Sequence, residues 1–463
     1  MAKFVAKSTT KPAKKIAVVG AGWAGCSAAA LLAEHGHQVC LIEAARTLGG
    51  RARRVDLHEH ALDNGQHILL GAYTASLALM RQLGLDTDAA LLTLPLQMCY
   101  PQASGGMHFV APKLPAPLHL LVALLRAQGL SREDKLSLAR FSTTARWMGW
   151  QLHQDCSVSE LLQRFDQTEK LCQLMWIPLC IAALNTPPER ASAQVFLNVL
   201  RDSLGAKRAA SDMLIPRLDL SALLPEAAAR YIEQLGGKVV DGIAVKKLTL
   251  QQNMQWQLEC SGQDSTLTDN WDAVIIATGP EHAMRLLDSA NVSADISLPQ
   301  PHMASSFSYE PITTCYLQYG QDTCLPRAFF ALADQPSRQH WGQFVFDRGQ
   351  LQQAQKGLLA VVVSASSEAV ELGHDELAKA IALQLAENFR MQALTKPLWH
   401  QIISEKRATF SCTPGLQRPP NHTSIANLLI AGDYTAGDYP ATLEAAVRSG
   451  AKAAHELLSH LNR

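Results

Sequence analysis

Aromatic residues fill only 6% of these 463 positions, and neither sign of charge is in excess: 41 Lys and Arg face 41 Asp and Glu. That balance excludes a chain-wide positive field of the kind that recruits nucleic acid. Ten cysteines occur without a CxxC pair or any other metal-ligand spacing, so neither a disulfide scaffold nor a bound metal is expected. No window approaches 18 uninterrupted apolar residues, and no secretory apolar stretch precedes the first strand. A spanning helix is therefore not expected, and the localisation read from the sequence is cytoplasmic. What is present is 48% hydrophobic residues in a length suited to two or three domains with ample core. Basic residues cluster at Lys3, Lys7, Lys11, Lys14 and Lys15, so residues 1–13 read as a flexible solubilising arm, with a membrane-surface tether as the alternative.

Residues 16–20, IAVVG, are the short β-branched run of a buried parallel strand. The run breaks into GAGWAG, with Gly20, Gly22 and Gly25 in GxGxxG spacing, and continues as CSAAALLAEHG, a small-residue helix stopped at Gly36. A second strand, QVCLIEA, places Glu43 twenty-one residues beyond Gly22. Gly20 allows the tight turn, Gly22 lets backbone approach a pyrophosphate, and Gly25 lets helix pack on strand. The helix N-terminus offers its N–H groups to the anion. Glu43 suits the adenosine ribose hydroxyls. Strand, glycine turn, helix, strand and acid in this order predict a dinucleotide site, though they do not separate NAD from FAD.

After Glu43 the chain reads AARTLGGRARR, and near its end NLLIAGDYTAGDYPATLEAAVRSGAKAA. With these segments it resembles the FAD-dependent amine oxidase and phytoene desaturase superfamily. The resemblance implies that Gly49, Gly50 and Arg51 lie at the diphosphate and that Asp433, after Gly432, holds the ribitol. It also implies that Thr442 and Leu443, at the start of a helix expected from about Ala441, present backbone to the flavin pyrimidine edge. Trp23, Ala24 and Ala44 join the cofactor contacts. The middle of the chain supplies DLSALLPEAAARYIEQLGG, expected as one amphipathic helix, and KVVDGIAVKKL, expected as a hairpin turning at Asp241-Gly242. WDAVIIATGP is expected as a further strand. Val245 falls where the superfamily meets adenine. The implied fold is α/β (α+β overall). It is a discontinuous Rossmann-like FAD/NAD(P)-binding unit of the glutathione-reductase and amine-oxidase type at 14–95, 216–285 and 406–463. A mixed substrate-binding domain is inserted at 96–215 and 286–405.

Asp63-Asn64-Gly65-Gln66-His67, the stretches at 178–204 and 211–225, and RATFSCTPGLQRP narrow the resemblance to the squalene-associated FAD-dependent desaturases, a group of hydroxysqualene dehydroxylases. It covers nearly the whole chain. The group's chemistry implies reductive loss of the hydroxyl of hydroxysqualene, a polyisoprenoid made by an upstream prenyl synthase, with hydride from reduced FAD. Gly65, Gln66 and His67 are expected along the flavin ring, and His67 is the candidate proton donor. FSCTPG does not resemble the flavin-attachment motif of amine oxidases, so Cys412 is not expected to carry the flavin covalently. A carotenoid-type desaturase, a flavin amine oxidase and a non-catalytic flavin-binding protein stay open as alternatives. No second GxGxxG appears to seat a nicotinamide donor. The proline-broken apolar stretch Leu91–Leu130, around LHLLVALL, reads either as a buried core helix or as a peripheral contact with the inner face of the cytoplasmic membrane.

Overall fold

The computed structural model of the chain describes residues 12–57, 60–102, 105–261, 269–290 and 307–462. Most of the basic arm, including Lys3, Lys7 and Lys11, lies outside them. The β-branched runs form a five-stranded sheet in the spatial order Lys238–Val240, Gln38–Ile42, Lys15–Val19, Ala273–Ile276, Leu428–Ile430. All four pairings are parallel. Ile16 to Val19 and Ala273 to Ile276 are buried, as central strands covered on both faces must be. Neighbours in this sheet come from the beginning, middle and end of the chain.

Two helices cover one face, and their small residues explain how closely they approach. Trp23–Glu34 is rich in alanine, and Leu443–Leu461 crosses it. A Cβ on Gly450 would lie 2.0 Å from the Ala24 carbonyl oxygen, so only glycine permits the observed crossing. Ser27 Oγ donates to the Val447 carbonyl across the same contact at 2.9 Å. The C-terminal helix begins at Leu443, two residues later than its small-residue run suggests, because Thr442 serves as its cap.

The structure corrects two local expectations. The 219–237 stretch is not one helix: Leu220–Leu223 and Pro225–Gln234 are separated at Leu224, whose φ of −141° is non-helical. Proline at the next position disfavours a helical residue before it. Nor is KVVDGIAVKKL a hairpin. Lys238–Val240 pairs in parallel with Gln38–Ile42, whereas Val245–Leu250 pairs antiparallel with Trp256–Cys260 in a separate two-stranded sheet. The Asp241-Gly242 turn is present, with Gly242 at φ +71°. The first run extends the parallel sheet at its edge, and the second finds its partner in the following Trp256–Cys260 strand.

Leu91–Leu94 pairs antiparallel with Met213–Pro216, so the chain leaves for its helical insertion and returns at adjacent points. A second sheet, ordered Phe329–Ala331, Phe344–Asp347, Leu358–Ser364, Tyr309–Gln318, Trp399–Phe410, is antiparallel throughout. Among the described residues no helix is long and apolar enough to cross a membrane.

Replacing Gly450 by valine should force the two crossing helices apart and destabilise the fold by roughly 1–3 kcal/mol, the usual cost of overpacking a tight contact. The urea midpoint of the variant should drop; an unchanged midpoint would show that the crossing tolerates a side chain.

Candidate functional site

The GAGWAG turn and the LGGR turn, some 25 residues apart in the chain, lie against one another. Gly22 and Gly49 form a parallel bridge, the Gly49 N–H donates to the Ala21 carbonyl at 3.0 Å, and a Cβ on Gly50 would sit 3.4 Å from Gly22 Cα. Gly25 has no room for a side chain, because its Cβ would meet the Gly20 carbonyl oxygen at 1.8 Å. By contrast nothing lies within 4 Å of a Cβ built on Gly22. That open side is where a phosphate could reach the backbone. Gly22 caps the Trp23–Glu34 helix without a side-chain hydrogen bond, leaving the positive end of the helix dipole for an anion.

Glu43 follows Ile42 at the end of its strand, where the fingerprint needs an acid. Its Oε2 accepts from the Ala21 N–H at 2.7 Å and its Oε1 from the Ala45 N–H at 2.9 Å. Two backbone donors thus fix the carboxylate, while each oxygen keeps lone-pair capacity for a ribose hydroxyl. The 242–245 stretch passes beside it: the Gly242 N–H donates to the Ala45 carbonyl and the Ile243 N–H to the Glu43 carbonyl. This brings the start of the Val245–Leu250 strand to the same edge, next to Ala44.

Arg51 and Asp433, expected separately at the diphosphate and the ribitol, are partners. Arg51 Nη2 donates to Asp433 Oδ1 at 2.6 Å and to Oδ2 at 2.7 Å, and Nη1 donates to the Ala408 carbonyl at 2.6 Å. Asn64 Nδ2 donates to the Arg51 carbonyl at 3.0 Å, tying the 63–67 stretch to the same point. Gly432 donates its N–H to Ser449 Oγ, and Thr442 Oγ1 accepts from the Ala445 N–H, so the C-terminal helix presents its positive end at Thr442 and Leu443. Trp23 Nε1 and the Tyr434 hydroxyl are buried with no hydrogen-bond partner among the described residues. Trp23 opens the helix that follows Gly22, and Tyr434 follows Asp433. The arrangement fits a long dinucleotide with a polar isoalloxazine edge.

Gln66 and His67 are positioned by the antiparallel sheet. Gln66 Nε2 donates to the Tyr316 hydroxyl at 2.8 Å, and its Oε1 accepts from Arg348 Nη1 at 3.0 Å. The Tyr316 hydroxyl donates to the Asp63 carbonyl at 2.8 Å. Arg348, fully buried, also donates to Gln355 Oε1. His67 Nδ1 faces the Gly65 carbonyl at 2.8 Å. A carbonyl can only accept, so Nδ1 carries the hydrogen and Nε2 is left as the atom that takes up or releases a proton. Burial holds this imidazole below the usual histidine range, and the nearby Arg51 guanidinium pushes the same way, against the Gly65 hydrogen bond. Cys412 lies elsewhere: its N–H donates to Thr186 Oγ1, and burial pushes its thiol up to about 12, so it is an inert structural group.

Three supporting residues carried no motif. Tyr316 and Arg348 sit on elements far along the chain and contact Gln66 only through the fold. Glu444 is fully buried and accepts from the Ala75 N–H, the Ser76 N–H, Ser76 Oγ and Arg448 Nε, locking the Thr74–Gln82 helix to the C-terminal helix. An acid in a first helical turn with Arg four residues later was the only local signal for it.

The pattern of the family described as Flavin containing amine oxidoreductase matches residues 23–458. A hydroxysqualene dehydroxylase of Rhodopseudomonas palustris is 30% identical, over 96% of this chain and 99% of that protein. A 15-cis-phytoene desaturase of Glycine max is 24% identical, over 96% of this chain and 80% of that one. Among solved structures, a putrescine oxidase redesigned in its cofactor binding superposes with a TM-score of 0.68 at 17% identity, covering 96% of this chain and 99% of the other. At that identity the superposition establishes the fold alone.

Two measurements probe the site. Glu43→Ala should weaken FAD by ~1–3 kcal/mol, because a ribose then loses its acceptor. Flavin titration giving wild-type affinity would remove Glu43 from the ribose. Asp63 offers a pH test: burial pushes its carboxyl up to about 7, opposed by Arg348 and by the Leu220 N–H at 2.8 Å. The folded state then holds the proton to higher pH than the unfolded chain, whose aspartates titrate near ~3.9. Stability from this group is full below about pH 4 and is lost as pH rises through about 7. Against Asp63→Asn, which keeps the acceptor for Leu220 but cannot ionise, the wild type should lose urea midpoint steadily over that window. Parallel curves would mean that Asp63 is ionised in the folded protein.

Proposed function

We propose a reaction from one premise: the chain belongs to the flavin containing amine oxidoreductases. It is an FAD-dependent oxidoreductase with the α/β fold of that family. Within the family, we read its reaction as the reductive removal of the hydroxyl of hydroxysqualene to give squalene. The observation that carries this reading is end-to-end similarity to the Rhodopseudomonas palustris enzyme, with almost no unmatched length in either chain. The substrate is then a polyisoprenoid, supplied by a prenyl synthase. FAD is assigned to residues 14–95, 216–285 and 406–463, each of which contributes at least one strand to the parallel sheet.

Each residue has a task in that reading. The diphosphate lies on the N–H groups at Gly22, Trp23, Ala24 and Gly25, flanked by Gly49, Gly50 and the Arg51–Asp433 pair. Glu43 takes the ribose, with Ala44 and Val245 beside the adenine. Thr442 and Leu443 present the helix terminus to the ring, and Gly65, Gln66 and His67 line it. Balance requires one proton and one hydride for each C–O bond broken: the oxygen leaves as water, and the new C–H bond takes the hydride that reduced FAD supplies. The proton is assigned to His67 Nε2, because Nδ1 is held by the Gly65 carbonyl. Tyr316 and Arg348 hold Gln66 by both ends of its amide, and so hold the loop that carries His67.

The direct test is anaerobic incubation of dithionite-reduced protein with hydroxysqualene, following squalene and flavin reoxidation together. Stoichiometric squalene is expected. Absence of product, with phytoene oxidised by the oxidised protein instead, would transfer the chain to the desaturase reading. A protein that binds flavin normally but turns over neither compound would reduce it to a binding role. In flavin-saturated protein, His67→Gln should lower turnover by ~10²–10⁴-fold. Because the imidazole is held below its ordinary range, wild-type turnover should decline as pH rises through a value under 6.5. Near-normal turnover of the variant, with the same pH profile, would retire His67 as the acid.

A further inference from the structure

Large apolar side chains on the outside of this protein are not scattered evenly. Nine are exposed among the described residues, and five of them fall between positions 118 and 147: Leu118, Leu121, Leu125, Leu136 and Trp147. Single exposed leucines are ordinary, but a cluster is not. The Leu118–Arg126 helix turns His119, Ala123 and Leu124 inward and leaves Leu118, Leu121 and Leu125, at spacings of three and four, along its outer face. The Arg132–Trp147 helix buries Ser137, Leu138, Phe141 and Ala145 and leaves Leu136 and Trp147 outside, eleven residues apart and hence on one face. Lys135 Nζ donates to the Leu125 carbonyl at 2.9 Å, so the second helix begins where the first ends. The two apolar stripes therefore lie on consecutive helices whose facing ends are in contact. From Leu136 to Trp147 alone the stripe runs ~16 Å at the α-helical rise.

The charges around this face identify its partner. Residues 113–147 hold six Lys and Arg against two Asp and Glu, in a chain whose total is balanced. Asp134 is buried in the capping box at the helix start. Arg126, Arg132, Arg140 and Arg146 are exposed, and none of them forms an ion pair among the described residues. Arg132 and Arg140 flank Leu136 at four-residue spacing on the outer face itself. A second copy of this chain would oppose arginine with arginine. A protein partner with a neutral apolar surface would leave four guanidinium groups unanswered. Exposed leucines and a nine-tenths exposed tryptophan rimmed by unpaired arginines are what the acyl and headgroup zones of an anionic lipid leaflet accept together.

We infer that the outer faces of the Leu118–Arg126 and Arg132–Trp147 helices dock the protein on an anionic bilayer surface, with the leucines and Trp147 in the interface and the arginines on lipid phosphates. This relocates the expected contact from the whole Leu91–Leu130 stretch to two helices, one of them outside it. It does not depend on the reaction proposed above, and lipid binding is measured without turnover. Full-length, FAD-loaded protein should float at low salt with vesicles of phosphatidylcholine mixed with phosphatidylglycerol. Flotation should be far weaker with phosphatidylcholine alone. Leu121→Glu/Leu125→Glu and, separately, Arg132→Glu/Arg140→Glu should each reduce bound protein at least about tenfold, since every basic group near such a surface contributes measurably. Both pairs are exposed, so flavin content and urea midpoint should stay at wild-type values. The inference is overturned if wild-type protein stays in the soluble fraction with both vesicle types, or if either double variant floats as the wild type does. It is also overturned if sedimentation without lipid reveals a dimer that Leu121→Glu/Leu125→Glu dissolves, since the face would then join two copies.

Discussion

The bidentate pairing of Arg51 with Asp433 is the interaction on which the site is built. It joins a loop near the start of the chain to a strand end near its finish, 382 residues away. The carboxylate is largely shielded from water, and charge-assisted paired hydrogen bonds are roughly twice as strong as neutral ones. Removing Arg51 would leave the Asp433 carboxylate poorly solvated, a larger penalty than the pair's net contribution. The pair does more than join two ends. Through Nη1 the guanidinium fixes the Ala408 carbonyl, and through its own carbonyl Arg51 fixes Asn64. One arginine thus sets the relative places of the LGGR turn, the C-terminal strand and the loop that carries His67, and its charge bears on that histidine directly.

Around this hub the two sheets divide the labour. The parallel sheet supplies what a dinucleotide needs: strand ends, glycine turns and the positive ends of two helices whose close crossing depends on Gly450. The antiparallel sheet supplies Tyr316, and the turn after its Phe344–Asp347 strand supplies Arg348; together they hold both ends of the Gln66 amide. A buried arginine held by two amide oxygens, near an Asp63 carboxyl that burial pushes up to about 7, is a costly arrangement for stability. Costly groups persist where they position something, and here they position the loop that carries Gln66 and His67. The helical insertion, entered and left through the paired strands Leu91–Leu94 and Met213–Pro216, carries the apolar arginine-rimmed face away from this polar machinery.

Much of this could be read from the sequence because some physical demands are local. A phosphate needs bare backbone at a helix start, and glycines at spacings of two and three provide it, so GAGWAG with the acid at Glu43 was legible from the residues, whereas LGGR entered through the family resemblance. The same local logic failed at Asp241-Gly242. The turn was read correctly, but whether its flanking runs pair with each other or with separate sheets depends on which buried edge is open, and no residue in the stretch encodes that. At Leu224 the proline signal was present and was outweighed by an amphipathic period that continues across the break.

By itself, then, the sequence determined the dinucleotide turn and the parallel strands beside it, since each rests on residues close together in the chain, and its resemblance to a family brought in the C-terminal end. Tertiary structure alone decided that Arg51 and Asp433 answer each other, that Tyr316, Arg348 and Glu444 serve the site, and that two successive helices leave one leucine-and-arginine face uncovered. Those facts depend on groups tens or hundreds of residues apart arriving within 3 Å, or on nothing arriving over an apolar face. The reason is that hydrogen bonds and burial act through space, and the distance between two side chains in a folded chain is set by all the packing that lies between them.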